Sequence, residues 1–162
     1  MNIKALREKN EIYIYQAIGE TEVSAKTFIE QLKTLNLEQP VHVRINSPGG
    51  DVSHALAIYN ALNECSQVIC HIDGVAASAA SVVAMAGKVV MAENALMMIH
   101  RPWSVAGGDA DAMRKAGDVL DKFEPTLIAA YRKKTGLADA KLAAMLAAET
   151  WLDAKEAVEL GF

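Results

Sequence analysis

The sequence contains little of what marks several large classes of protein. Two of its 162 residues are cysteine, and the spacing of Cys65 and Cys70 is not that of a metal-binding motif. It has 16 basic and 20 acidic residues and no long basic tract, which argues against a nucleic-acid partner. No apolar run has the length of a membrane span, and charges occupy the N-terminal segment where a signal peptide would be apolar. We therefore expect a cytoplasmic protein with reduced thiols and no membrane association.

The residues that are present predict one α/β domain over residues 1–162. The length and the 52% share of hydrophobic residues are enough to bury a core without disulfides. Short β-rich runs alternate with segments of helical spacing. We predict strands at 11–17, 41–46, 68–73, 89–92 and 96–100, and helices at 21–35, 51–65, 76–87, 109–134, 138–148 and 153–160. Strands separated by helices form βαβ units, and hence a mostly parallel sheet covered by helices.

The segment 109–134 is long for so small a domain. Apolar residues recur along it at spacings of 3, 4, 3 and 4, which places one stripe on one helix face: Met113, Ala116, Leu120, Phe123 and Leu127. Pro125 is expected to kink this helix or to begin a new one. At a rise of about 1.5 Å per residue the helix is too long to wrap within the domain, so we expect it to project and to pack on a partner subunit.

Ser78 is the first candidate for chemistry. It follows a strand that Gly74 is expected to close, and it opens a helix of small residues. Ligands in α/β folds bind where strands give way to loops and helices. A hydroxyl there lies near the positive end of the helix dipole, which favours the negative charge formed in acyl transfer. The alternative is an ordinary N-cap serine. Ser81, one turn later, is a rival that we expect instead to bond a backbone carbonyl.

His100 is the candidate partner of that serine. It ends an apolar strand and follows Ser78 by 22 residues, which leaves room for a helix and a short hairpin to return the chain. A histidine at a strand end can act as general base for a serine; the alternative is a surface or capping histidine. His42 and His71 lie within strands and are expected to be packed or exposed by alternation. His54 follows a Gly-Gly turn and is expected to be mainly structural.

Two further features could complete a serine–histidine site. Gly49 and Gly50 allow backbone N–H groups to turn toward a ligand, although a Pro-Gly-Gly run is more often only a turn. A triad also needs an orienting acid, and the candidates near the C-terminus are Glu149 and Asp153. Asp153 has the position of an N-cap for the last helix. No spacing argument selects one of the two.

Four segments in order resemble one known family. They are NSPGG at 46–50, GVAASA at 74–79, MIHRP at 98–102 and AKEAVELG at 154–161. Each motif alone is weak, but the ordered set, which spans nearly the whole chain from about residue 11, is similar to the proteolytic subunit of the Clp protease. The resemblance implies a Clp/crotonase-type ββα superhelix with a mostly parallel sheet and a projecting handle helix at about 109–134. It implies a serine endopeptidase acting on polypeptides, with no cofactor and no metal.

The resemblance also assigns roles to individual residues. Ser78 would be the nucleophile and His100 the base, and the N–H groups of Gly50 and Ala79 would form the oxyanion hole. The segment 49–52 would pair with an extended substrate. The oxyanion and substrate-binding residues implied in this way are Gly49, Gly50, Asp51, Val52 and Ala79.

The third member of the triad departs from the family pattern. Aligned on the motif around Trp151, the family's aspartate falls at Met145, and nearby Ala147 is no acid either. Glu149 is the closest carboxylate and is the third candidate. The departure is compatible with a Ser–His dyad, a slow enzyme or an inactive relative.

The resemblance extends to assembly and to biological role. Family members form homo-oligomeric rings, often two stacked, with the sites inside a chamber. Housekeeping members carry an N-terminal segment that forms axial loops for docking an ATPase. Because the first strand here is expected to begin by about residue 11, the sequence weakens the expectation of an ATPase partner. The sequences of segments 77–81, 100–103 and 149–151 are most similar to those of the Clp-like proteases of phages and prophages. Those proteases are thought to process capsid or scaffold proteins during head maturation.

Other functions fit part of this sequence. A non-catalytic or weakly active ring-forming assembly protein would fit the missing aspartate, but not the retention of Ser78, His100 and the glycine pair. Housekeeping Clp-type degradation with an ATPase partner is a further alternative. A hydratase of the related crotonase group would need paired glutamates, and the chain is short for that group. A Ser/Lys peptidase would need Lys88 to reach Ser78.

Overall fold

Seven strands form one sheet in the part of the chain that the structure describes. This computed structural model describes the backbone of Ala5 and Leu6 and the residues from 10 to 162. The strands are β1 (Ala5–Leu6), β2 (Glu11–Ile14), β3 (Val41–Ser47), β4 (Val68–Ala77), β5 (Lys88–Met91), β6 (Leu96–Ile99) and β7 (Thr150–Leu152). The helices are α1 (Ala25–Leu32), α2 (Val52–Asn63), α3 (Ala79–Ala84), α4 (Ala110–Thr135), α5 (Asp139–Ala147) and α6 (Ala154–Glu159).

The sheet is mostly parallel, as the alternation of strands and helices predicted. Its order is β1-β2-β3-β4-β6-β7, and β5 also pairs with β4. The inner pairings are parallel, whereas β1 and β7 run antiparallel to their neighbours. Strand β3 pairs with one edge of β4. The other edge of β4 pairs first with β5, along Ile69–Ile72, and then with β6, along Val75–Ala77. This arrangement brings the end of β6 beside the end of β4.

The core lies between one face of the sheet and the helices. Residues of β3 alternate between buried and partly exposed, because successive side chains of a strand point to opposite faces. Val41, Val43 and Ile45 pack inward with Phe28 of α1 and Ile58 of α2. All six residues of α3 are buried, which its small side chains allow.

Strand β4 does not end at Gly74 as expected but continues to Ala77. Between the pairs Ile45↔Ile72 and Ser47↔Ala76 a single β3 residue faces residues 73–75 of β4. The Asn46 side chain fills this bulge, since its Oδ1 accepts a hydrogen bond of 3.2 Å from the Val75 N–H. A Cβ at Gly74 would lie 2.6 Å from that oxygen. The glycine therefore makes room within the strand, and α3 begins at Ala79 rather than at 76.

Two strands were not predicted: β1 precedes the expected first strand, and β7 follows α5. Of the two alternatives expected for Pro125, the start of a new helix is wrong, since Pro125 lies inside one continuous helix. By contrast, Asp153 caps α6 as expected, in a capping box with Glu156.

Helix α4 is the longest element and is only partly covered. At about 1.5 Å per residue its 26 residues span roughly 39 Å. Its buried residues, Leu127, Ala130 and Tyr131, all lie in its C-terminal third, whereas Met113 and Val119 are exposed. The N-terminal half therefore extends beyond the core as the predicted handle. No helix among the described residues combines the length and the apolar character that spanning a membrane requires.

Candidate active site

Ser78 lies on a strained turn between β4 and α3. Its backbone dihedral angles, φ 54° and ψ −126°, are rare for a residue other than glycine, and a conformation of this kind costs on the order of 1–3 kcal/mol. Three hydrogen bonds hold the turn. The Ser78 N–H donates to the Met98 carbonyl at 2.8 Å, and the Ser78 carbonyl accepts from the Ser81 N–H at 3.0 Å and from the Ser81 hydroxyl at 2.6 Å. The last bond confirms the expectation for Ser81.

His100 lies directly beside this serine. The register that pairs Ala77 with Met98 brings the residue after β6 next to the residue after β4. His100 Nε2 lies 2.7 Å from Ser78 Oγ, and the His100 side chain is 16% exposed. For Nε2 to accept the Ser78 proton, the proton of the neutral ring must be on Nδ1. The distance is within the range for proton transfer from a nucleophile to a general base.

Glu149 approaches the other nitrogen of the ring but does not bond to it. Glu149 Oε2 lies 3.8 Å from His100 Nδ1, beyond hydrogen-bond distance, and the Glu149 side chain is 59% exposed. The antiparallel pairing of β7 with β6, with Thr150 opposite Ile99, brings the carboxylate to this position. Asp153 is used in the α6 cap. The Met145 carbonyl accepts a bond of 2.7 Å from the Thr150 hydroxyl, which ties α5 to β7.

Gly49 and Gly50 form a strap whose conformation requires glycine. The Ile18 N–H donates to the Gly49 carbonyl at 2.7 Å, and the Asp51 N–H donates to the Ile18 carbonyl at 2.8 Å. In a parallel bridge of this kind the N–H and carbonyl of the central residue, Gly50, face the opposite side. A Cβ at Gly50 would lie 2.0 Å from the Ile18 carbonyl oxygen, and one at Gly49 would lie 2.7 Å from Ser78 Cβ.

The remaining predicted substrate-binding residues have distinct positions. The Ala79 N–H is the first of α3, and Ala79 itself is nearly buried. Asp51 is the N-cap of α2: its carboxylate accepts from the Ser53 hydroxyl at 2.5 Å and from the His54 N–H at 3.0 Å, and these bonds lower its pKa. Val52 lines the cleft beside Ser78. Among residues 10–162, no hydrogen-bond acceptor meets the N–H of Gly50 or of Ala79.

A cleft of about 420 Å³ opens in front of Ser78 and His100. Its other walls are apolar and carry no charged side chain: Ala17, Pro48, Val52, Met98, Pro102 and Trp103. Pro102, Trp103 and Val52 also line a second hollow of about 340 Å³ that faces α4. Sequence reasoning missed Trp103 as a lining residue, because nothing in its local sequence distinguishes a cleft wall from an exposed loop.

The other candidate groups are not part of this cleft. His54 Nδ1 accepts from the Ala25 N–H at 2.9 Å, in agreement with a structural role. His42 and His71 bond to each other at 2.8 Å within the sheet. Lys88 pairs opposite Ile69, at the other end of β4 and roughly 25–30 Å along the strand from Ser78, which contradicts a Ser/Lys pair.

A reactive thiol at Cys70 and a cluster of metal-binding side chains would be two further sources of chemistry among the described residues. Burial raises the pKa of the Cys70 thiol to about 12, so it stays protonated. In the part of the chain from residue 10 onward, no group of three or more His, Cys, Asp or Glu side chains is arranged to hold a metal ion.

Comparison with known proteins gives one consistent result. A family model described as Clp protease matches residues 1–162. Curated relatives include the ATP-dependent Clp protease proteolytic subunits of Streptococcus pneumoniae strains Hungary19A-6 and CGSP14. Each is 33% identical over 147 residues, which cover 85% of this chain and 75% of the relative.

Proposed function

Because the chain belongs to the Clp protease family and is a serine-type endopeptidase, we propose that Ser78 and His100 carry out its chemistry. Ser78 is the nucleophile, His100 is the general base, and Glu149 is a weakly coupled third member. The N–H groups of Gly50 and Ala79 bind the oxyanion. The observation that carries the assignment is the 2.7 Å contact between His100 Nε2 and Ser78 Oγ, on a strained turn that opens into an apolar cleft.

Acylation follows from this geometry. Ser78 Oγ attacks the carbonyl carbon of the scissile peptide bond, and its proton passes to His100 Nε2. The carbonyl oxygen becomes negatively charged and accepts hydrogen bonds from the Gly50 and Ala79 N–H groups. The C–N bond then breaks, and the imidazolium of His100 returns its proton to the leaving amine. The product is an ester between Ser78 and the N-terminal part of the substrate.

Deacylation uses the same groups in the reverse sense. A water molecule replaces the leaving amine, and His100 Nε2 takes a proton from it as its oxygen attacks the ester carbon. Collapse of the second tetrahedral intermediate releases the carboxylic acid and returns the proton to Ser78 Oγ. Since the cleft walls are apolar, we expect apolar substrate side chains near the scissile bond.

Glu149 acts on this cycle mainly through its charge. At 3.8 Å and 59% exposed, it does not hold the histidine ring by a hydrogen bond. Two charges 4 Å apart interact by only about 1 kcal/mol in bulk water, and exposed ion pairs typically contribute less. Glu149 therefore stabilises the imidazolium modestly, and the reaction proceeds close to a Ser–His dyad.

The proposed function is tested by cleavage of an unfolded protein and of a fluorogenic peptide. Wild-type protein should cleave both, and Ser78→Ala should cleave neither while keeping the same particle size. Absence of cleavage by wild type, together with an intact oligomer, would favour the alternative of a non-catalytic ring-forming assembly protein.

We also propose that the protein assembles as a homo-oligomeric ring, in one or two layers. Support comes from the stripe on α4, whose Met113 and neighbouring Val119 stay exposed, and from the resemblance to ring-forming proteins. Replacing Leu120 or Phe123 by alanine should shift sedimentation toward smaller species. An unchanged particle size would mean that α4 does not join subunits.

The biological role that we propose is processing of phage capsid or scaffold proteins in the bacterial cytoplasm. The sequence forms around Ser78, His100 and Trp151 support it. Housekeeping degradation with an ATPase partner is a real second candidate, since the relatives are named as ATP-dependent subunits. Strand β1 precedes the strand that was expected to be the first, so the N-terminal segment does not count against an ATPase partner.

One experiment separates the two roles. Purified protein is incubated with a phage scaffold protein alone, and separately with a folded, tagged substrate plus a Clp ATPase and ATP. Cleavage of the scaffold protein at a few defined sites would favour head maturation. ATP-dependent degradation of the tagged substrate would favour housekeeping degradation.

A further inference from the structure

The longest helix reaches Ser78 through two buried hydroxyl groups. Tyr131 on α4 and Ser81 on α3 are 50 residues apart in sequence, and their hydroxyl oxygens lie 2.8 Å apart. Ser81 Oγ in turn lies 2.6 Å from the carbonyl oxygen of Ser78. Ser81 is 0% exposed and Tyr131 is 1% exposed. In this relay of Tyr131, Ser81 and the Ser78 carbonyl, the bond between the two hydroxyl groups is therefore shielded from water.

The direction of the relay is set by its end. A carbonyl oxygen can only accept, so the Ser81 hydroxyl proton points at the Ser78 carbonyl. Ser81 Oγ is then the acceptor for the Tyr131 hydroxyl. Burial raises the pKa of Tyr131 well above its ordinary value, so the phenol keeps its proton and remains a donor at neutral pH.

The relay acts on a rigid peptide group. The carbonyl of Ser78 and the N–H of Ala79 belong to the same planar unit, so a bond that fixes the carbonyl also fixes the direction of the N–H. Hydrogen bonds accepted by the carbonyl also polarise the unit and make the N–H a stronger donor. The Ser78 turn has unusual dihedral angles, which favour relaxation of its peptide plane toward a commoner conformation. The relay adds to the Ser81 N–H, which bonds the same carbonyl at 3.0 Å, in opposing that rotation.

Neither hydroxyl is required for packing. Helix α3 otherwise consists of alanine and valine, and an alanine at position 81 would fit the same space. A phenylalanine at position 131 would keep the ring contact with Phe162, whose ring centre lies 5.9 Å away. Buried hydroxyls destabilise a core unless they are bonded. The presence of the two buried hydroxyl groups is therefore explained by the Ser78 carbonyl to which they bond.

We propose that Tyr131 and Ser81 are positioning residues that aim the Ala79 N–H at the developing oxyanion. Neither touches substrate; they act through the Ser78–Ala79 peptide group. Helix α4 therefore helps to fix the direction of the oxyanion donor by acting through α3. The inference rests on the proposed function, because it presupposes that Ser78 is acylated and that the Ala79 N–H receives the oxyanion.

The test is the effect of Tyr131→Phe on acylation in the assembled protein. We would measure the second-order rate of reaction of Ser78 with a fluorophosphonate, and kcat and KM for a fluorogenic peptide. The variant should lower the labelling rate and kcat about tenfold, the factor that corresponds to one hydrogen bond of ordinary strength. KM should not change, because the donor is used in the transition state and not in the ground state.

Two further variants make the result specific. Tyr59→Phe is the matched control, since Tyr59 is a buried tyrosine on α2 that contacts α4 through Lys133 but is outside the relay; its labelling rate should equal that of wild type. Ser81→Ala should slow labelling at least as much as Tyr131→Phe. Adding Tyr131→Phe to it should change nothing further, because both act through one bond. Ser81→Ala carries the test alone if Tyr131→Phe does not fold.

Each outcome has one meaning. If wild type is not labelled at Ser78, the proposed function fails and the relay fails with it. If wild type is labelled but Tyr131→Phe and Ser81→Ala react at the wild-type rate, or raise KM at unchanged kcat, the function stands and the relay is wrong. A lower Tm without a slower reaction below the unfolding transition would also overturn it, since the pair would then be only structural.

Discussion

The two sides of His100 are built differently. On one side Nε2 lies 2.7 Å from Ser78 Oγ, and the backbone of Ser78 is held by bonds to Met98 and Ser81. On the other side Nδ1 lies 3.8 Å from Glu149 Oε2, on a carboxylate that is mostly in solvent. The first side has the geometry of a hydrogen bond, and the second has that of a loose ion pair.

This difference indicates which part of the chemistry depends on the fold. The proposed nucleophile and base meet because two parallel strands, β4 and β6, end together, and the pairing leaves little freedom. The proposed acid comes from a turn before β7, where Glu149 has a left-handed backbone with φ 50°. We therefore expect that changes on the Ser78 side reduce activity strongly and that changes on the Glu149 side reduce it weakly.

Ser78→Ala should have the largest effect. Removing the nucleophile should lower kcat for peptide hydrolysis by roughly 10³-fold or more, because the base and oxyanion donors then have no attacking group to serve. A fluorogenic peptide assay measures this, with particle size from sedimentation as the control for folding. Turnover within tenfold of wild type would show that another residue is the nucleophile.

Gly50→Ala should have the next largest effect. Its Cβ would lie 2.0 Å from the Ile18 carbonyl oxygen, so the strap must shift and its N–H must turn away. We expect a loss of about 10²-fold in kcat, comparable to the loss of one oxyanion donor. Gly107→Ala, in the exposed loop before α4, is the matched control, since a Cβ there meets nothing within 4 Å. Equal kcat for the two variants would contradict the role of the strap.

Glu149→Gln should reduce kcat by only about fivefold or less, because it removes a solvated charge at 3.8 Å. Glu149→Gly should have a similar effect on kcat but raise Tm, since glycine adopts the left-handed conformation at lower energy. Peptide-cleavage kinetics measure the two kcat values, and thermal unfolding measures the change in Tm. A loss of 10²-fold or more in Glu149→Gln would show that the acid is tightly coupled in the working enzyme, and the contrast between the two sides would be lost.

Asp51 should give the smallest effect, on stability alone. Its bonds to Ser53 and His54 lower its pKa in the folded protein, whereas the unfolded value is about 3.9. The cap is therefore fully stabilising above that pH and is lost as pH falls through the lower folded value. Thermal unfolding between pH 3 and 7 should show a steeper acid loss for wild type than for Asp51→Asn. Identical slopes would mean that the carboxylate charge contributes nothing to the cap.

The sequence predicted Ser78 and His100 as members of one site, although it could not show their contact. Each follows an apolar strand, and polar residues at the ends of neighbouring parallel strands converge on one edge of the sheet. The long α4, the capped α6 and the parallel sheet also followed from periodicity and cap residues. These features depend on local sequence patterns, and a single sequence is enough to identify such patterns.

Contacts between distant residues could not be predicted in this way. Gly74 by itself predicts the end of the strand, but the hydrogen bond from the Val75 N–H to the Asn46 side chain keeps β4 continuous. Ile18 becomes the partner of Gly50 only through the fold. The stripe on α4, extended by four residues from Leu127, marks Tyr131 as buried, but no local signal identifies Ser81 as the partner of its hydroxyl.

The central claim is that His100 activates Ser78 without a tightly bound acid. The most direct test is the intact mass of the protein after incubation with a fluorophosphonate, with the modified residue mapped by peptide sequencing, for wild type, Glu149→Gln and His100→Ala. The account predicts one adduct on Ser78 in wild type and in Glu149→Gln, and none in His100→Ala. An adduct on another residue, no adduct in wild type, or equal labelling of Ser78 in His100→Ala would contradict it.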